Sequence, residues 1–317
     1  MFTINTGTDR GFNQILLHDD LRGTFASVVP DCGAVLQDFS MTKNGIRHHI
    51  LASYTDLGEF RNQLTEKGFM GCKLSPFAGR LRNGRFIFQD EVYQTGRFFL
   101  GKHALHGLLY DAAYEVECQE TGRDFAELTL KHAYRGQQPG FPFHFNCRII
   151  YRLENDNRLI VSTKIESKDN RPFPLQDGWH PYFRFGNKTD ELWLQLDSSA
   201  VAKTDEELIP TGKWTADTSF QTAKPIGNQH FDHCFRLDDP VHKPALILKD
   251  PQSGIGLQVF VRKGYPYLQL YTPSDRRSIA VEPMSAPPDM FNNKMGWLVL
   301  EPENLQEFVV AYQVTGC

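Results

Sequence analysis

The 317-residue chain has no apolar run approaching the roughly 20 residues that a membrane-spanning helix requires. Its longest runs, such as Trp297-Leu298-Val299-Leu300, are strand-sized. It also lacks any Cys-x-x-Cys pair. The six cysteines (Cys32, Cys72, Cys118, Cys147, Cys234 and Cys317) are widely scattered. That scatter speaks against a disulfide scaffold or zinc ribbon, and reads as reduced thiols used as small apolar packers. Nor is there a strong charge of either sign: 34 Lys plus Arg stand against 38 Asp plus Glu, a net charge of −4. A mildly acidic chain repels a phosphate backbone unless its cations are segregated, so a general nucleic-acid binder is disfavoured. The N-terminal Met1-Phe2-Thr3-Ile4-Asn5-Thr6-Gly7 lacks a basic segment followed by an apolar core, so no secretory signal is expected and the cytoplasm is the default location. Long stripes of helical period are almost absent, with only weak helical turns expected over residues 57–70. No fixed-period repeat and no Gly/Ser- or Pro-rich linker interrupts the chain, so residues 1–317 read as a single domain.

What the sequence does have is 40% hydrophobic residues, with 24 Phe and 25 Gly. That is enough apolar material for a large core, and the rings and tight corners lean towards β-structure. Arg85 to Gln89 and Val92 to Gln94 flank Asp90-Glu91 as a hairpin. Phe125 to His132 alternates apolar and polar residues, and Cys147–Leu153 and Leu159–Glu166 pair around Glu154-Asn155-Asp156-Asn157. Further alternating runs lie at 192–196, 246–249, 257–261, 268–271 and 308–314. More than ten short strands punctuated by Gly, Pro and Asn predict an all-β, large antiparallel sandwich.

Several segments carry more polar and aromatic chemistry than a core needs. Ala78-Gly79-Arg80-Leu81-Arg82-Asn83-Gly84-Arg85 places three arginines in six residues. Read alone it is a solvated strand edge, although guanidinium groups also suit vicinal hydroxyls. Leu105-His106-Gly107 sets a histidine beside a glycine, which admits close approach of backbone or ligand. Gly178-Trp179-His180-Pro181-Tyr182-Phe183 surrounds a histidine with three aromatics, a composition that suits the C–H faces and hydroxyls of a sugar as well as it suits a core cluster. Phe231-Asp232-His233-Cys234-Phe235 embeds an acid between rings. In Val281-Glu282-Pro283 a carboxylate ends an apolar strand; it either pairs with Arg276 or Arg277, or is desolvated into a general base.

Together these segments resemble, in order and over nearly the whole chain, the aldose 1-epimerase (galactose mutarotase) family, in its divergent bacterial branch. The resemblance rests on Ala78-Gly79-Arg80 with Asn83-Gly84-Arg85-Phe86, Leu105-His106-Gly107, His180-Pro181-Tyr182-Phe183, the Asp232 segment and Val281-Glu282-Pro283. It implies a galactose mutarotase-like supersandwich that interconverts the α and β anomers of a free hexose, with no metal and no cofactor. Glu282 would be the general base and His180 the general acid. Arg80, His106, Asp232 and Trp179 would bind the sugar, with Tyr182 and Phe183 also lining the cleft. Gly107-Leu108-Leu109 departs from the double glycine common after the first histidine, and Pro302-Glu303-Asn304 stands where the family often has Pro-Gly-Glu. The implied partner is a small-molecule sugar, without nucleic acid or membrane, for a monomer or homodimer. The alternatives are a hexose-6-phosphate mutarotase, whose phosphate would need Arg82, Arg85 or Arg97 at the cleft, and a non-catalytic carbohydrate-binding sandwich.

Overall fold

The computed structural model describes residues 1–186, 188–239 and 241–316, so the cysteine at position 317 lies outside the described residues. The other five cysteines are free, four of them buried, in keeping with their reading as packers. Antiparallel strands dominate. Phe2–Asp9, Phe12–Asp19, Thr24–Val29, Val35–Lys43 and Ile46–His49 form a five-stranded meander. A nine-stranded sheet follows the order Glu115–Thr121, Phe125–Arg135, His144–Glu154, Arg158–Ser167, Leu305–Gly316, Ile255–Lys263, Leu246–Asp250, Trp193–Leu196 and Lys224–Pro225. A second follows Pro210–Ala216, Ser198–Thr204, Asp232–Leu237, Tyr267–Tyr271, Ile279–Met284, Gly178–Trp179 and Lys73–Leu74, with Tyr182–Phe183 and Leu51–Ala52 attached beside Ile279–Met284.

The period of two along each strand decides which side chains enter the sandwich. In Ile279–Met284, Ile279 and Val281 join the large core shared with Leu128, Ile149 and Leu159 of the other sheet. Ala280 and Met284 belong instead to a second cluster with Phe69, Leu105 and Tyr182. Leu268 and Leu270 of the neighbouring strand point into the large core, and the intervening Gln269 points to the other face. That second face lines a cavity and carries the polar residues discussed below.

Two local expectations shift slightly. The hairpin expected around Asp90-Glu91 turns at Gln89-Asp90, both with positive φ (50° and 63°), so that Glu91 pairs with Phe88 rather than lying in the turn. Two consecutive left-handed residues match the twist of the flanking strands. The weak helical signal is one helix, Leu57–Gln63, started by Asp56 accepting from the Glu59 backbone N–H at 2.8 Å. No helix among the described residues is long and apolar enough to cross a membrane.

Candidate functional site

A cavity of about 350 Å³ opens on this face of the second sheet, lined by Arg80, His106, His180, Asp232, Gln269 and Glu282 among others. Its size lies within the roughly 300–1,000 Å³ of small-molecule sites. Strand register assembles it from distant parts of the chain. Cys234 pairs with Gln269, and Gln269 with Glu282; one step along, Asp232 pairs with Tyr271, Tyr271 with Ala280, and Ala280 with Tyr182. Residues of equal parity on four strands therefore share one face.

His180 is held through its backbone. Its N–H donates to the Cys72 carbonyl at 3.1 Å, its carbonyl accepts from Gly71 at 2.9 Å, and Pro181 passes its carbonyl to the Val281 N–H at 3.1 Å. The imidazole stacks on Tyr182 (centroids 4.9 Å, 15° between planes), whose hydroxyl donates to the Gly68 carbonyl at 3.1 Å. Across the cleft, His106 adopts φ 61°, a left-handed conformation that costs a side-chain-bearing residue. The surrounding backbone enforces it: the His106 N–H donates to Gly79 at 3.1 Å and the Leu108 N–H to Ser75 at 2.8 Å. Gly107 is required here, since a Cβ on it would lie 2.4 Å from the Ser75 carbonyl oxygen at φ +77°. The ring of His106 meets His180 edge-on at 4.9 Å and Phe69 at 4.8 Å.

The central contact is between His180 Nε2 and Glu282 Oε1, 3.3 Å apart, with both side chains almost wholly buried. Burial disfavours the charged form of each. It pushes the His180 imidazole down to about 3. It raises the Glu282 carboxyl well above the usual range, helped by the negative charge of Asp232 and opposed by Arg80. His106 is held well below an ordinary histidine by burial, then by the charges of His180 and Arg80. Asp232 accepts from the Gln269 side-chain amide at 2.8 Å, which fixes its carboxylate beside the cavity. The pairing of Glu282 with Arg276 or Arg277 does not occur. Arg276 binds Asp190 at 2.5 Å and the Gly227 carbonyl at 2.7 Å, and Arg277 is exposed elsewhere.

Five of the six residues singled out from sequence thus line one cavity: Glu282, His180, Arg80, His106 and Asp232. Trp179 does not. It belongs to the large core, edge-on to Tyr151 at 6.1 Å and beneath the Lys73 ammonium at 4.4 Å. The same correction applies to Phe183, which packs on Tyr312. Alternation explains both: His180 and Tyr182 face the cleft, so Trp179 and Phe183 face away. Gln269, Tyr271, Phe69 and Glu66 are lining residues that sequence reasoning missed. The arginines needed by a phosphate are also absent from the lining. Arg82 is engaged by Asp205 and Glu207, Arg97 by Asp111, and Arg85 is exposed.

Chemically, the site offers an acid–base pair in contact, two further imidazole and guanidinium donors, and a fixed carboxylate. That set suits proton transfer on a neutral, hydroxyl-rich molecule. It also offers three metal-ligating groups, since ligand atoms of His106, His180 and Glu282 all lie within 4.8 Å of one another.

The chain is similar to known proteins along most of its length. The family model described as Aldose 1-epimerase matches residues 14–313. The chain is 30% identical over 232 residues to the aldose 1-epimerase of Haemophilus influenzae, covering 67% of this chain and 66% of that one. It is 22% identical over 314 residues to the maltose epimerase of Levilactobacillus brevis, covering 89% of each. The solved structure of the galactose 1-epimerase from Lactobacillus acidophilus superposes with a TM-score of 0.82 at 20% identity, over 99% of both chains.

Proposed function

The chain belongs to the aldose 1-epimerase family and is a sugar mutarotase; from that premise we propose that Glu282 and His180 pass one proton between them as the sugar ring opens and closes. The observation that carries this reading is the 3.3 Å contact between His180 Nε2 and Glu282 Oε1 inside a sugar-sized cavity. With a cyclic aldose bound, the Glu282 carboxylate removes the proton from the C1 hydroxyl and the His180 imidazolium protonates the ring oxygen. The C1–O5 bond breaks, C1 becomes an aldehyde, and rotation about C1–C2 exposes its other face. Closure reverses the roles. Neutral His180 takes the proton from the C5 hydroxyl, O5 re-forms its bond to C1, and the Glu282 carboxylic acid returns a proton to O1.

The bookkeeping of charge is simple, because the two groups together hold one proton throughout. Carboxylate with imidazolium faces the ring; carboxylic acid with neutral imidazole faces the open chain. Burial favours the second, uncharged arrangement in the empty site, which is the direction of both pKa shifts. The Arg80 guanidinium works the other way, since it favours the Glu282 carboxylate. Keeping the two arrangements close in energy is what a reversible proton shuttle needs. In this reading His106, Arg80 and Asp232 hold sugar hydroxyls. The same proposal takes the substrate as a free hexose and the enzyme as a single cytoplasmic domain, monomeric or homodimeric, that uses no nucleic-acid or membrane partner.

Polarimetry or proton NMR of freshly dissolved α-D-glucose and α-D-galactose tests the reading. Purified protein should accelerate anomer equilibration above buffer in proportion to its concentration. Sugar binding without acceleration of any aldose would leave only a carbohydrate-binding sandwich.

A further inference from the structure

We infer that His106, His180 and Glu282 also form a binding site for a divalent transition ion of the Zn²⁺ class, and that an ion held there switches the acid–base pair off. The inference deepens the function proposed above, because the regulated groups are its shuttle. Two imidazoles and a carboxylate are a donor set that zinc takes in three-ligand sites with an open fourth position. The spacing is suitable. Tetrahedral ligands on bonds of about 2.0–2.1 Å lie about 3.3 Å apart, and His180 Nε2 and Glu282 Oε1 are separated by 3.3 Å. Ligand atoms of His106, His180 and Glu282 all lie within 4.8 Å of one another, so movement of the His106 ring towards the pair completes the triangle. The cavity lined by the three groups has room for a water as a fourth ligand.

Electrostatics permits occupancy and limits it. The acidic Asp232 lines the same cavity and favours a cation there, and the guanidinium of Arg80 opposes it. The outer contacts that strengthen metal-bound histidines are missing, however, because the Nδ1 atoms of His106 and His180 are buried without a hydrogen-bond partner. Outer partners of that kind are worth roughly 10–100-fold in affinity. The ion is therefore a reversible ligand rather than a resident one. While bound, it engages the lone pairs of His180 Nε2 and Glu282 Oε1 that proton transfer uses. The sugar and the ion compete for one site.

The test uses the chelator-treated full chain, with Co²⁺ and Zn²⁺ as probes. Co²⁺ should bind at one ion per chain and give the intense visible bands of four- or five-coordination instead of the weak bands of the hydrated ion. His106→Gln and Glu282→Gln should each weaken binding by at least about tenfold, while near-ultraviolet circular dichroism confirms that they fold. His242→Gln, at the exposed His242–Asp239 pair, should leave binding unchanged. Zn²⁺ should suppress mutarotation and a chelator restore it. Six-coordinate spectra, or binding unaltered in both site variants, would overturn the inference. The spectroscopic arm needs no activity, so failure of the mutarotase reading is scored separately.

Discussion

Lys73 and Asp177 form an ion pair in which neither side chain reaches solvent, three residues ahead of His180 and on the core side of the site. The Lys73 ammonium also donates to the Gly178 carbonyl at 3.0 Å and lies over the ring of Trp179. Asp177 Oδ1 accepts from the Tyr265 hydroxyl at 2.6 Å, the Asp177 N–H donates to the Ser285 hydroxyl oxygen at 2.9 Å, and the Ser285 N–H donates to the Asp177 carbonyl at 2.9 Å. The pair thus joins Lys73–Leu74, Gly178–Trp179, the start of Tyr267–Tyr271 and the end of Ile279–Met284, the strand that carries Glu282. Burial pushes the lysine down and the aspartate up, while each partner's charge opposes the shift.

A buried charge without its partner is costly, typically about 3–5 kcal/mol. Lys73→Met should therefore destabilise the protein by about that amount, and Asp177→Asn by a similar amount. The double variant Lys73→Met/Asp177→Asn should lose clearly less than the sum, because no isolated charge remains. Urea denaturation of the three variants measures this. Strictly additive losses would mean that the pair is not coupled.

The shared proton predicts a non-additive pattern in activity. His180→Asn and Glu282→Gln should each lower kcat by about 10²–10⁴-fold, once the buffer rate is subtracted. The double variant should be hardly slower than the worse single one, since either loss already breaks the transfer. Polarimetry at several enzyme concentrations reads both effects. A double variant slowed by the product of the single factors would mean that the two groups act independently.

Activity should also tolerate acid better than an ordinary histidine would allow. The working pair holds one proton. On the acid side it gains a second one only when His180 protonates beside an already protonated Glu282, and burial has moved that event down to about 3. On the alkaline side it loses its proton as pH rises through the raised value of Glu282. Hence kcat/KM should show no acid limb at the ordinary histidine value of about 6.5. An acid limb near pH 6.5, the ordinary histidine value, would show that His180 is not desolvated in the free enzyme. Proton NMR of anomer exchange on both sides of that pH makes the measurement.

The contrast between His180 and its neighbour Trp179 shows what was legible beforehand. The strand count and the polar, aromatic segments follow from local composition, because period-two alternation and turn residues are short-range properties. Which ring of Trp179, Tyr182 and Phe183 faces the cleft depends on the parity of the strand relative to the sandwich, and Pro181 interrupts the alternation that would reveal it. Gln269 was missed for a different reason. Its role arises from its register opposite Glu282 and its hydrogen bond to Asp232, 37 residues away in sequence. The convergence of His106, His180 and Glu282 spans three distant segments, so no ligand spacing marks it. Lys73 gave no signal at all, since one lysine in a strand-like stretch reads as exposed.

Charge around the cavity argues for an unphosphorylated substrate. Its ionisable lining includes the carboxyl groups of Glu66, Asp232 and Glu282, and among the described residues its one arginine is Arg80. Of the other arginines of the same segment, Arg82 contacts Glu207 at 2.7 Å and also binds Asp205, and Arg85 is exposed outside the lining. A phosphate dianion needs several charge-assisted donors to replace its water, and here it would meet carboxylates instead. Glucose 6-phosphate should therefore be handled with kcat/KM at least about tenfold below that of glucose, a difference of about 1.4 kcal/mol in transition-state binding. Raising the salt concentration should leave the free-sugar rate almost unchanged, because a neutral ligand gains nothing from steering. Parallel NMR assays of the two sugars decide the matter, and faster turnover of the phosphate would require cations that this cleft does not present.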